Sequence, residues 1–237
     1  MLRDFWESVG DTITFKAFAK KGEIGDILSQ ILPENVTYRV KHDACDNAVT
    51  IDFSKVTEGD KRSYTGKVFQ RLDSYIYSEV DISLAEHVIN LLKLNRKTLG
   101  VTESLTGGMI ADAIVSIKGA SEVFSEGLVC YSNSAKMLNL KVKESTLAVH
   151  TAVSEETAYE MVRGILSHPY NDFGVATTGY AENYGGENGG TVYVAIGDSS
   201  RIDVHKYAFT GDRQEVRRSA TNAALFHLAK KLRGSFN

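Results

Sequence analysis

The sequence predicts a layered α/β fold preceded by a small α+β module, and three observations carry that reading. Beyond about residue 97, apolar runs of strand length alternate with segments of helical period, the pattern of α/β layers. The 237 residues are 43% hydrophobic and 24% charged, enough apolar material for one large or two small cores. A fresh helix start, DISLAEHVINLLK, falls near residue 82 and separates a strand-rich stretch from the alternating one. The expected division is therefore 1–81 and 82–237.

In the first stretch, TITFKAF (12–18) alternates like a half-buried strand, and Ile24, Ile27, Leu28 and Ile31 share a helical stripe over 24–32. Two more strands are expected at 36–40 and 48–53, and a short helix over 67–76 with Val68, Leu72 and Ile76 on one side. Ser83 followed by Glu86 forms a capping box ahead of the stripe Leu84, Val88, Leu91 and Leu92. The expected order then runs strand 97–102, helix 106–117, strand 127–132, helix 134–139, helix 154–167, strands 172–178, 190–197 and 201–209, and helix 212–233. That last helix opens at Asp212 with Glu215 as capping partner and closes on Lys230, Lys231, Arg233 and Gly234.

A net charge of -3 argues against a general polyanion binder, so a small-molecule partner is expected and nucleic acid is not. No apolar run approaches the ~20 residues that span a bilayer, and MLRDFWESVGD lacks a signal pattern, so a soluble cytoplasmic protein with no membrane partner is expected. Cys45 and Cys130 stand far apart without CxxC spacing, and the six histidines show neither HxH nor HExxH. Neither a metal site nor a cofactor is expected from spacing.

The chemistry concentrates at strand-to-helix junctions. TESLTGG (102–108) sits where the carboxyl end of a strand exposes a loop. Gly107 and Gly108 admit a close ligand, Ser104 and Thr106 add hydroxyls, and the N–H groups of the next helix favour an anion. A cap and a tight turn would account for one hydroxyl and the glycines. CYSNSAK (130–136) places Tyr131, Asn133 and Lys136 at a second junction. A lysine whose pKa is lowered by burial can take a serine proton, so Ser104 and Lys136 would form a nucleophile and base if they meet, with Tyr131 relaying the proton or orienting the amine. Otherwise Lys136 is a solvated helix residue. ATTGYAENYGGENGGTVYVAI (176–196) ends a strand at Thr178 and Gly179 and leads through a glycine-rich loop, either a pocket wall or a hairpin turned by Gly185, Gly186, Gly189 and Gly190. Arg213 opens the final helix against its dipole, which suggests a phosphate or a neighbouring subunit.

Together TESLTGG, GASEVFSEGLVCYSNSAK, TAVSEETA, ATTGYA, GGTVYVA and FTGDRQEVR resemble, in that order, the C-terminal domain of the CinA family over about 82–234. The resemblance implies an α/β/α amidase domain with a mixed sheet that hydrolyses nicotinamide mononucleotide to nicotinate mononucleotide and ammonia without a metal. It places Ser104, Tyr131 and Lys136 as the catalytic group, with Thr106, Gly107, Gly108, Asn133, Thr178, Gly179 and Arg213 around the substrate. The amides near Thr106 to Gly108 then serve either a developing oxyanion or the 5'-phosphate. The preceding stretch resembles a KH-like module. Its GEIG (22–25) fits a GxxG pattern, but Glu23 would repel a nucleic-acid backbone, so a structural or dimerisation role is expected. A homo-oligomer is expected from the family's tendency to associate. The molybdopterin-binding-like domain of longer members is not expected from this sequence, and its functions are not carried over. Two departures stand out: Leu105 replaces the family's cysteine, and TGYAENYGGENGG replaces a loop of the type TGIAGPGGG. Because of that loop, a nucleotide- or partner-binding member without turnover, and an amidase for another small carboxamide, remain the rival expectations.

Overall fold

A computed structural model describes residues 10–182 and 189–234, so Gly185 and Gly186 of the glycine-rich loop lie outside the described residues. The chain divides into two compact units, Met1–Ile82 and Ser83–Asn237.

The first unit contains β1 (Thr12–Phe18), α1 (Glu23–Ile31), β2 (Thr37–Asp43), β3 (Asp46–Asp52), α2 (Glu58–Leu72) and β4 (Ile76–Ser78). Its antiparallel sheet has the order β2-β3-β1-β4. Alternation along β1 buries Ile13, Phe15 and Ala17, which pack with Ile24, Leu28, Ile51, Val68 and Leu72. Ala44 and Cys45 both take positive φ (47° and 68°), the conformation a two-residue hairpin needs to follow the strand twist. The helix expected at 67–76 starts nine residues earlier, at Glu58, and Ile76 belongs to β4 instead. The first half of α2 is polar, so its start is marked by chemistry and not by period: Thr57 accepts the Asp60 N–H at 3.2 Å.

The second unit runs α3 (Leu84–Asn95), β5 (Leu99–Glu103), α4 (Met109–Val115), a 3-10 turn (Ala120–Glu122), β6 (Phe124–Val129), α5 (Asn133–Leu140), α6 (Glu144–His150), α7 (Glu155–Leu166), β7 (Phe173–Gly179), β8 (Thr191–Gly197), β9 (Ile202–Ala208) and α8 (Arg213–Gly234). Its mixed sheet has the order β6-β5-β7-β8-β9, parallel among the first three strands and antiparallel beyond them. Helices α3, α4 and α8 pack together on one face, and α5, α6 and α7 on the other, giving three layers. β5 is buried along its whole length, as a parallel strand covered on both faces must be.

Two sequence expectations shift for identifiable reasons. β6 spans Phe124–Val129, three residues earlier than the expected 127–132, because Ser125 and Glu126 belong to an edge strand and hide its apolar signal. Glu126 is held there by Asn171, whose amide donates to it at 2.6 Å. Helix α6 gives no clear sequence signal. Its start lacks a side-chain cap, and Glu160 of α7 holds it by accepting from Lys143 N–H at 2.8 Å and Thr146 Oγ1 at 2.9 Å.

Where β9 meets α8, the imidazoles of His205 and His227 stack with centroids 3.5 Å apart, and Tyr207 Oη lies 2.5 Å from His227 Nε2. Burial first, then the neighbouring His205 and Lys230, depress the His227 pKa from 6.5 to about 3. The unfolded chain therefore binds more protons between those values, and folding stability falls as pH drops below about 6.5. Replacing His227 with Gln is expected to flatten the stability-versus-pH curve between pH 6.5 and 4, read by urea denaturation at each pH. An unchanged slope would show that this ring carries no acid sensitivity.

Candidate functional site

The strand order creates the site. From β5 the chain passes through α4 outward to β6, then crosses back through α5–α7 to β7 on the other side of β5. The two connections leave β5 in opposite directions, so its carboxyl end opens a crevice between them. Ser104 follows β5 directly and extends its pairing, with its N–H donating to Thr177 O at 2.9 Å.

Lys136 comes to this point from the first turns of α5. Ser132 caps that helix by accepting the Ala135 N–H at 3.1 Å, which turns residue 136 inward. The lysine is 1% exposed and Ser104 8% exposed. Lys136 Nζ stands 3.0 Å from Ser104 Oγ, 2.9 Å from the Cys130 carbonyl and 3.3 Å from the Tyr131 carbonyl. No carboxylate forms an ion pair with it among the described residues. Burial accordingly pushes its pKa below the usual lysine range, opposed only by the Cys130 thiol nearby. A neutral amine has two N–H groups and one lone pair. Nζ donates to two carbonyls and to the Ser104 hydroxyl; in the neutral form its two N–H groups can keep the carbonyls while the lone pair turns to Ser104.

The turn after Ser104 is held from several sides. Gly107 and Gly108 adopt φ of 59° and 97°, a region that side chains rarely enter. Thr106 Oγ1 and Thr177 Oγ1, both fully buried, lie 2.7 Å apart. Glu103 and Arg217 complete the frame, and sequence reasoning missed both. The buried Glu103 carboxylate accepts the N–H groups of Gly108 (2.9 Å), Ile110 (3.1 Å) and Ala111 (2.9 Å). This corrects the expectation that the N-terminus of this helix is open to an anion: Glu103 already fills it. The amides of Leu105, Thr106 and Gly107 are the N–H groups of the turn that Glu103 does not take. Arg217 donates from Nε to Leu105 O at 3.0 Å and from its terminal nitrogen to Thr106 O at 2.8 Å. A carboxylate ending the apolar run LGVTE was the available signal for Glu103, while Arg217 gave none beyond its proximity to Arg213.

The other expected site residues divide. Tyr131 is exposed, and its hydroxyl accepts from Arg213 at 3.2 Å, so Lys136 is oriented by the Tyr131 carbonyl and not by the phenol. Arg213 also pairs with Glu182 at 2.5 Å. Asn133 opens α5 and is exposed. Thr178 is buried with its hydroxyl donating to Ala152 O at 2.6 Å. Gly179 has a packing reason: a Cβ there would come within 2.6 Å of Thr191 O and 2.9 Å of Val192 Cα on β8. Among the described residues, no group of three or more His, Cys, Asp or Glu side chains is placed to hold a metal, and no helix is long and apolar enough to cross a membrane.

Fold and site together define a three-layer α/β protein with a buried Ser–Lys pair at the carboxyl end of a central parallel strand. A family model of the CinA C-terminal domain matches residues 81–232, and the chain belongs to the CinA family. A CinA-like protein of Kosmotoga olearia is 38% identical over 184 residues, covering 76% of this chain and 45% of the relative. The chain thus spans less than half the length of that protein. Among solved structures, a CinA superfamily protein from Klebsiella pneumoniae is 36% identical with a TM-score of 0.62, covering 64% of this chain and 96% of the other. A competence/damage inducible protein from Agrobacterium tumefaciens is 33% identical with a TM-score of 0.60, covering 63% and 93%.

Proposed function

We propose that the second unit is an amidohydrolase that converts nicotinamide mononucleotide to nicotinate mononucleotide and ammonia. The observation that carries this reading is the 3.0 Å approach of the buried Lys136 amine to Ser104 Oγ, with no carboxylate among the described residues paired to the amine. Lys136 takes the Ser104 proton as Oγ attacks the carboxamide carbon. Remaining amides of the turn, at Leu105 to Gly107, receive the developing negative charge on the carboxamide oxygen. Collapse of the adduct breaks the C–N bond, and Lys136 returns its proton to the departing nitrogen, releasing ammonia. The neutral amine then takes a proton from water, which attacks the acyl ester, and Ser104 Oγ leaves with that proton to restore the starting state.

Thr106, Thr177 and Arg217 hold the turn in place, and Arg213 at the crevice mouth receives the 5'-phosphate. The protein works in solution as a homo-oligomer, with the first unit, read as KH-like, as its structural or association element. Ammonia release from nicotinamide mononucleotide, coupled to glutamate dehydrogenase, tests the proposal. The parent protein is expected to turn over, and Ser104→Ala to lose at least about a thousandfold in kcat. Equal rates for the two proteins, or binding of the mononucleotide by the parent without ammonia, would refute it.

A further inference from the structure

Arg213, at the start of α8, already holds an anion supplied by the chain itself. Arg213 stands in the first turn of α8, and Arg217, four residues on and on the same side, grips the Leu105 and Thr106 carbonyls. Arg213 is therefore about 6 Å along the helix from the residue that touches the nucleophile's turn. Its guanidinium is shared between the Tyr131 hydroxyl and the Glu182 carboxylate, the latter from the loop that follows β7. Both members of the ion pair are substantially exposed, with 45% and 64% of their side-chain surface open to solvent. Such a pair is weak and screened by salt, so an incoming dianion can displace it. Helix stability does not explain Arg213 either. The first turn disfavours a cation, and Asp212 already caps it by accepting the Gln214 and Glu215 N–H groups at 2.7 and 2.9 Å.

We infer that Glu182 is a specificity-determining residue that competes with the substrate's phosphate for Arg213 and so weakens the preference for a phosphorylated nucleotide over its phosphate-free nucleoside. The inference rests on the reading of the site given above. With Glu182 in place, a phosphate gains Arg213 only by releasing one carboxylate and then sits beside it. With a neutral side chain there, the phosphate gains the guanidinium outright.

Glu182→Gln tests this by keeping the size of the side chain and removing its charge. KM for nicotinamide mononucleotide is expected to fall about three- to tenfold at low salt, the scale of one exposed charge contact, and the difference to shrink at 0.5 M salt. KM for nicotinamide riboside should stay within about twofold, because that compound carries no phosphate. Calorimetric titration with inorganic phosphate provides a readout free of turnover: the variant should bind several-fold tighter, and adding Arg213→Gln should abolish the gain. Equal phosphate affinity in parent and variant, or the same KM shift for both substrates, overturns the inference. Should the parent release no ammonia at all, the proposed activity fails, and the phosphate titration alone then decides the competition between Glu182 and the anion.

Discussion

Lys136→Met is expected to lower kcat for ammonia release about a thousandfold while leaving the melting temperature equal to or above that of the parent. The two halves of that result have one cause. Methionine fills the space of the lysine stem but cannot accept the Ser104 proton, so the base is lost. The amine it removes sits 1% exposed with no carboxylate partner among the described residues, and its pKa is held down by desolvation. Between that depressed value and 10.5 the unfolded chain binds the extra proton, so the charged unfolded form is favoured and Lys136 costs stability at neutral pH. Removing it relieves that cost, partly offset by the Cys130 and Tyr131 carbonyls left without their donor. The parent's pH profile follows from the same shift. Only the neutral amine acts as base, so kcat/KM rises with pH through a lysine value lower than usual, and this limb is absent from the variant. A Lys136→Met protein that melts well below the parent, or retains more than a tenth of its activity, would show that the amine is structural.

The second large effect is expected at Glu103. Glu103→Ala should lose about 3 to 5 kcal/mol of unfolding free energy, because three N–H groups at the start of α4, one buried and two partly buried, lose their acceptor together with the favourable charge at a helix N-terminus. Glu103→Gln should lose less, since the amide oxygen still accepts while its NH2 group turns toward donors. Activity is expected to fall in the same order, since the carboxylate fixes the turn that carries Ser104. Chemical denaturation of the three proteins provides the measurement. A loss under 1 kcal/mol for the alanine variant would mean that water replaces the carboxylate and that the turn does not depend on it.

Much of the scaffold was legible because it is written in local chemistry. Ser83 accepting Glu86 N–H, and Asp212 exchanging bonds with Glu215, are caps that announce helices wherever they fold. The continuous apolar run of β5 and the alternation of β1 follow from which faces are covered. Legibility failed where long-range contacts override local signals. The polar half of α2 and the uncapped α6 have no helical stripe to read, and β6 carries Glu126 because Asn171, far along the chain, satisfies it.

For the site, the sequence by itself determined that serine, lysine and paired glycines stand at strand-to-helix junctions, since residue order and turn chemistry suffice for that. Only the tertiary structure decided which polar groups meet. It brought Ser104 and Lys136 to 3.0 Å across 32 residues, gave the Tyr131 phenol to Arg213, and closed the start of α4 with Glu103. Hydrogen bonds act over about 3 Å, so their partners are selected by packing of the whole sheet and its helices, which no local pattern encodes.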